Sequence, residues 1–356
     1  MAQSRAPIAG RFTAQEVALA ARNSGMPLEA LRYDVTPVGL HYLLIHFDIP
    51  AADASQWRLE ISGEVDELLS LSMQDLRAMP SRTERVTLEC AGNGRAQLSP
   101  RYPSVPWVEE GVSTAEWTGV ALAAVLRSSR LRKTAHELVF RGADRGIDRG
   151  VEHDFARSLP VDEASRQDVL LAYQMNGADL LPQHGAPLRL IVPQWYGMAS
   201  VKWLRRIEVL DCPFDGLQQA ASYHFRASTF DRGTPCRRMR VNSLMVPPGI
   251  PDFYTRARSA QAGRHVITGR AWSGEARVAA VQFAVDGRWT DAKLDEPHSG
   301  NAWRGWRALW QAEPGVHELA CRATDASGNV QPLEPAWDLG GFGNNAIQRV
   351  TVTVLP

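Results

Sequence analysis

Thr87-Leu88-Glu89-Cys90-Ala91-Gly92-Asn93-Gly94-Arg95 is the stretch on which the reading of this 356-residue chain turns. The approach, Arg85-Val86-Thr87-Leu88, has the β-branched and apolar character of a strand. Gly92-Asn93-Gly94 is the punctuation of a tight turn. Glycine serves where backbone bends sharply or comes close to a ligand, because it has no Cβ to clash. A thiol ahead of such a turn, with a guanidinium just beyond it, can ligate a soft metal while an anion is held alongside. Taken alone, Cys90 reads more often as a small hydrophobe in a core, the commoner fate of a free cysteine. Residues downstream decide between the two.

Working outward, the length exceeds a usual single core, so two domains are expected. The composition, 44% hydrophobic and 22% charged, is that of an ordinary globular protein. Lys+Arg and Asp+Glu are equal at 39 each, so no global field favours nucleic acid or an acidic membrane, and neither is expected as a partner. The apolar runs, such as 42–45, are far too short to span a bilayer. Met1-Ala2-Gln3-Ser4-Arg5 shows neither an apolar signal core nor a twin-arginine pair, so the chain reads as cytoplasmic, or as periplasmic if a leader has been removed. Cys90, Cys212, Cys236 and Cys321 form no Cys-x-x-Cys, which argues against a zinc knuckle, a thioredoxin motif or covalently attached haem. A Cys212–Cys236 disulfide stays open, with reduced thiols expected in a cytosolic chain.

Periodicity predicts helices over 13–23, 72–79 and 120–128, and strands over 57–63, 188–192 and 201–210. After about residue 230 the character changes. Short strands over 265–272, 278–286, 306–311, 318–325 and 347–354 are separated by Ser273-Gly274, Asp286-Gly287, Pro314-Gly315 and Ser327-Gly328-Asn329. That pattern predicts an antiparallel, immunoglobulin-like β-sandwich. The expected division is an N-terminal extension with a short helix (1–34), a first domain of mixed strands and helices (35–232) and the sandwich (233–356), in an α+β fold.

With its landmarks in order, the chain resembles the sulfite oxidase family of molybdopterin-dependent oxidoreductases. The landmarks are the segment from Thr36-Pro37 to His46, the Cys90–Arg95 turn, and Trp107 ahead of Gly111-Val112-Ser113-Thr114-Ala115-Glu116-Trp117-Thr118-Gly119. Then come His184-Gly185-Ala186-Pro187-Leu188-Arg189 and Trp195-Tyr196-Gly197-Met198-Ala199-Ser200-Val201-Lys202-Trp203. Gly269-Arg270-Ala271-Trp272-Ser273-Gly274 and Asn329-Val330-Gln331-Pro332 follow in the sandwich. The resemblance runs from about residue 36 to the C-terminus and reverses the reading of Cys90.

The resemblance implies one molybdenum–molybdopterin per chain, with the Cys90 thiolate on the metal and no haem in this chain. Cofactor binding is implied for Tyr42, Leu43, Leu44, Ile45, His46, Asp144, His184, Arg189, Ser200, Val201 and Lys202. Arginine, lysine and histidine donors suit a phosphate, and a carboxylate suits a pterin N–H. A catalytic set of Cys90, Arg95, Trp107 and Tyr223 is implied as well. Arg95 would take the anion, Trp107 would form a wall and Tyr223 would donate to a reacting oxygen. Arg288 lies near where the second domain contributes an arginine in this family, and it reads equally as a turn residue.

The implied activity is oxidation of sulfite to sulfate, with electrons passing to a separate acceptor such as a cytochrome. The second domain implies a homodimer. Leu44 and Ala199-Ser200 depart from the pattern, because sulfite-oxidising members have an arginine at the first position and an Arg-His pair at the second. Losing a charge-assisted contact costs about 1.5–3 kcal/mol of anion binding. That loss keeps open a reductase of a sulfoxide, N-oxide or nitrate on the same metal, and further off a non-catalytic cofactor-binding or interaction protein.

Overall fold

The structure, a computed structural model, describes residues 12–356; the N-terminal reading taken from residues 1–5 lies outside the described residues. Helix Ala14–Arg22 begins at a capping box: the Glu16 amide donates to the Thr13 hydroxyl and the Thr13 amide donates to the Glu16 carboxylate. Glu16 is buried and pairs with Arg101 at 2.6 Å, tying this helix to the loop that follows the Cys90 turn. No helix among the described residues is long and apolar enough to cross a membrane.

The first domain is built on two sheets. One runs in the order Leu69–Ser72, Arg58–Gly63, Leu204–Leu210, Glu137–Asp148, Val151–Pro160, with a parallel pairing of Arg58–Gly63 to Leu204–Leu210. Leu59 and Ile61 face the core while Arg58 and Glu60 face solvent, the alternation of a half-buried strand. The other places Ser81–Glu89, Val112–Ala121, Leu170–Met175 and Ala178–Asp179 side by side, with Arg189–Ile191 also on Leu170–Met175. This second sheet carries Cys90, because Ser81–Glu89 ends one residue before it. The helix expected over 120–128 is Leu122–Ser129; Val120 and Ala121 instead complete the strand Val112–Ala121, paired to Leu171 and Leu170.

The second domain is a sandwich of a four-stranded and a six-stranded sheet. Its core closes on Trp306, Trp310, Phe283, Leu319, Cys321 and Val352, all buried. Trp306 and Trp310 are therefore core residues, and Trp303 is buried at the seam between the domains, donating to the Asp34 carbonyl at 2.8 Å. All four cysteines are free; Cys212 is exposed and Cys236 buried. The architecture is α+β, with the sandwich packed directly on the sheet that carries Cys90. Thr87 receives the Trp303 amide on its hydroxyl at 2.7 Å and donates its own amide to the Asn301 carbonyl at 2.9 Å.

Candidate active site

The Cys90 turn is held from both domains. The Cys90 amide donates to Gly111 O at 2.8 Å, and Asn93 closes the turn onto Cys90 O at 2.9 Å. Asn93 then bridges outward, donating to Glu89 and accepting from the Gly111 amide. Glu89 is buried and also accepts from Asn242 and from the Trp272 indole at 3.0 Å, both second-domain residues. Burial pushes the Glu89 carboxyl up to about 7 despite these three donors. Gly94 has φ +80, and a Cβ there would meet the Asn344 side chain at 2.7 Å, so glycine is required on both counts. Asn344 in turn donates to Gly94 O, and the Gly343 amide donates to Ala91 O.

Two cavities meet at Cys90. The inner one, about 660 Å³ of atom-free space including solvent at its opening, is lined by Tyr42, Leu43, Leu44, His46, Asp144, His184, Arg189, Ser200 and Lys202, together with His41 and Met198. The outer one, about 1070 Å³ including its open mouth, is lined by Arg95, Trp107, Tyr223, Ile45, Phe342 and Tyr102 among others. Leu44, His46, Cys90 and Tyr223 border both.

The inner cavity is electropositive and only partly satisfied. Arg189 donates to His184 O and Ser200 O and lies 4.7 Å over the Trp117 ring, while its Nε has no partner. Lys202 Nζ donates to Leu44 O at 2.8 Å and sits 4.3 Å over Trp203. Burial first, and the neighbouring Arg189 second, depress the Lys202 ammonium to about 7. Burial holds His41 at about 3 and His184 at about 4, so both rings are neutral. Burial raises Asp144 to about 6, with Oδ1 unpartnered, and His41 Nε2 is likewise unpartnered.

At the outer side Arg95 is buried, with Nε donating to Gly340 O and Nη1 to Val105 O. Burial raises the Cys90 thiol, and Arg95 is the largest influence pulling it back toward thiolate, aided by the otherwise unpartnered Trp107 indole N–H. Tyr223 shares a 2.6 Å hydrogen bond with His46 Nε2, and His46 stacks on Phe155 at 4.5 Å. Burial pushes the Tyr223 phenol up and the His46 ring down to about 3, so both are neutral.

Of the residues singled out from sequence for cofactor binding, two stand apart from the inner cavity. Ile45 faces the outer one, its amide tied to Asn23. Val201 is packed in the core with both backbone groups spent on Ala199 and Leu190; the strand expected over 201–210 begins only at Leu204, and Val201 lies in the irregular stretch between it and the Gly197–Ala199 turn. Arg288 is exposed on the outer strand Arg288–Asp291, paired to Val285. The second domain's side chain at the site is Phe342 instead, 5.3 Å from the Arg95 guanidinium. Sequence reading missed His41, Phe155, Phe342 and the buried Arg157, whose guanidinium lies 5.2 Å over the Tyr223 ring. The only signal for Phe342 was its setting among Gly340, Gly341 and Gly343.

Residues 46–218 match the family model for the oxidoreductase molybdopterin binding domain, and 234–355 match the Mo-co oxidoreductase dimerisation domain. Sulfite oxidase of Gallus gallus is 34% identical over 339 residues, spanning 88% of this chain and 72% of that protein. This chain belongs to the sulfite oxidase family of molybdopterin oxidoreductases. The mitochondrial sulfite oxidase of Rattus norvegicus is 33% identical over 90% of this chain, which spans only 62% of that protein's length. A Brassica napus nitrate reductase is 31% identical over 93% of the chain and 40% of its own length. The solved sulfane dehydrogenase SoxCD of Paracoccus pantotrophus superposes with a TM-score of 0.81 at 25% identity, covering 97% of this chain and 91% of that one.

The residues present fit the family's cofactor. Among the described residues no group of three or more His, Cys, Asp or Glu side chains stands together, so Cys90 alone cannot hold a metal and further donors must come with it. A dithiolene supplies such donors. The inner cavity meanwhile offers two buried cations and the unpartnered atoms of Arg189, His41 and Asp144, which suit a phosphate and a hydrogen-bonding heterocycle.

Proposed function

We propose that the chain oxidises sulfite to sulfate: sulfite plus water gives sulfate, two protons and two electrons, which leave singly to a separate acceptor such as a cytochrome. The observation that carries this reading is the position of Cys90, between a cationic inner cavity and an outer cavity with one buried arginine at its base. His184, Arg189 and Lys202 would hold the phosphate, Asp144 and the 42–46 segment the pterin, and Cys90 the metal. When bound, the molybdenum centre supplies two-electron chemistry and oxygen-atom exchange with water. Arg95 orients the anion with its remaining Nη2. Tyr223, positioned by His46, donates to a substrate oxygen, and Trp107 walls off water.

The deciding experiment measures molybdenum per chain and sulfite-dependent reduction of ferricyanide in protein from a molybdopterin-producing host. Near-stoichiometric metal with turnover is expected; loaded enzyme that leaves sulfite untouched ends the reading. Leu44 favours a second reading, reduction of a neutral oxide, by removing a cation from the boundary of the two cavities. Sulfoxide consumption with a reduced dye, and no sulfite oxidation, would establish it. The domain similar to Mo-co dimerisation domains supports a homodimer, to be tested by light scattering, where a chain-sized mass at all concentrations would refute it.

A further inference from the structure

The outer cavity is poorly matched to sulfite alone. Its deep end holds one buried guanidinium, Arg95, which has no carboxylate partner among the described residues and no hydrogen-bond partner for Nη2. Its walls are mainly Leu44, Trp107, Val105 and Phe342, with Ser104, Ser222 and Gln218 as uncharged polar members, and Tyr102 and Ile147 are exposed, the latter 72%. The other arginine of the lining, Arg149, is exposed, donates to Ala221 O and has Asp148 beside it in the same wall, so it adds little net charge to the depth. The cavity thus grades from one cation beside Cys90 to aromatic and aliphatic surface leading outward. Sulfite has no apolar part to set against those walls, and burying more than one negative charge beside a single cation is costly. A neutral sulfoxide fits the walls and leaves Arg95 without an anion.

From this geometry we infer that the substrates of the outer cavity are organic sulfinates, monoanions in which a carbon group replaces one sulfite oxygen, with an aryl or bulky alkyl group lying against Phe342 and Trp107. The inference rests on the oxidation proposed above and keeps its chemistry. A sulfinate plus water gives a sulfonate, two protons and two electrons; one sulfur–oxygen bond forms, the oxygen comes from water, and two one-electron acceptors are reduced. Arg95 Nη2 takes the sulfinate oxygens, the sulfur lone pair faces Cys90, and the carbon group extends toward Tyr102.

The test uses the molybdenum-loaded full chain. Ferricyanide-linked kcat/KM is measured for benzenesulfinate and for sulfite, and calorimetry on the resting enzyme compares benzenesulfonate with sulfate. Burial of an aromatic ring is expected to make benzenesulfinate better than sulfite by about tenfold or more, and benzenesulfonate tighter than sulfate by a similar factor. In Phe342→Ala the benzenesulfinate-to-sulfite ratio falls about tenfold. Benzenesulfinate turnover without sulfite turnover supports the inference, keeps the oxidative chemistry the two readings share, and overturns sulfite as the substrate. Sulfite oxidation with benzenesulfinate inert and benzenesulfonate no tighter than sulfate overturns it and leaves the sulfite reading standing. Loaded enzyme that oxidises neither overturns both. The calorimetric comparison needs no variant, so misfolding of Phe342→Ala leaves the inference open to refutation.

Discussion

The two cavities that meet at Cys90 are made of opposite materials. The inner one gathers Arg189, Lys202 and neutral histidines around a single carboxyl and leaves polar atoms unpartnered; the outer one sets a single buried arginine against largely aromatic and aliphatic surface. A buried polar group without a partner costs free energy, so the inner cavity is organised around something that will satisfy it. The deficit of the outer cavity is smaller, confined to Arg95 Nη2 and the Trp107 indole N–H, and the rest is organised by shape. One cavity is built to retain a ligand, the other to admit one.

The largest expected effect falls on the boundary. Cys90→Ser should lower turnover by about a thousandfold or more while the circular dichroism and thermal transition stay close to the parent's, since serine fits where cysteine did. A serine variant with parental activity would remove the boundary as the reacting point. Next, Arg189→Ala should strip cofactor from the inner cavity, read as molybdenum per chain falling well below stoichiometric. Retained metal would mean the inner cavity is not the retaining one. Leu44→Arg sharpens the contrast by adding a cation to the outer side. The KM for sulfite should fall about tenfold to a hundredfold, as expected of about 1.5–3 kcal/mol in charge-assisted bonding. An unchanged or raised KM would show that position 44 does not face the anion.

The smallest effect separates the cavities by pH. In cofactor-free protein the Lys202 ammonium titrates near 7 instead of at its ordinary 10.5. Between those values the unfolded chain binds more protons than the folded one. Stability contributed at Lys202 is therefore lost as pH falls toward 7 and regained as it rises toward 10.5. Cofactor-free protein should gain a few degrees of Tm from pH 7 to 9 relative to Lys202→Met. In loaded protein, a phosphate beside Lys202 should abolish that difference. A Tm difference that persists on loading would show that the phosphate is not at Lys202.

Much of the sandwich was legible because its strands alternate: Leu319, Cys321 and Ala323 are all buried on one face, and glycine turns mark the ends. The hairpin Glu137–Asp148 with Val151–Pro160 was not legible. Its outer half carries Arg145, Glu152 and Asp154, which pair across the strands and remove the apolar signature. Cys90, Arg95, Trp107 and Tyr223 could be gathered from spacing and resemblance, and the structure sets all four around one cavity. Phe342 could not, because the contact with Arg95 depends on how two domains dock. Val201 was included because a run was read as a unit, although in the irregular backbone between Ala199 and Leu204 its side chain turns into the core while Ser200 and Lys202 line the cavity.

The loop from Asp338 to Gly343 has an implication for how this enzyme can change. It reaches Arg95 from the second domain, giving a carbonyl from Gly340 and a ring from Phe342, while its Gly343 amide clasps Ala91. Because the same loop also clasps the turn at Ala91, only a change confined to the Phe342 side chain would alter the surface beside Arg95 while leaving the turn that bears Cys90 anchored. Side-chain chemistry beside Arg95 and the anchoring of the Cys90 turn thus rest on different atoms of one short loop.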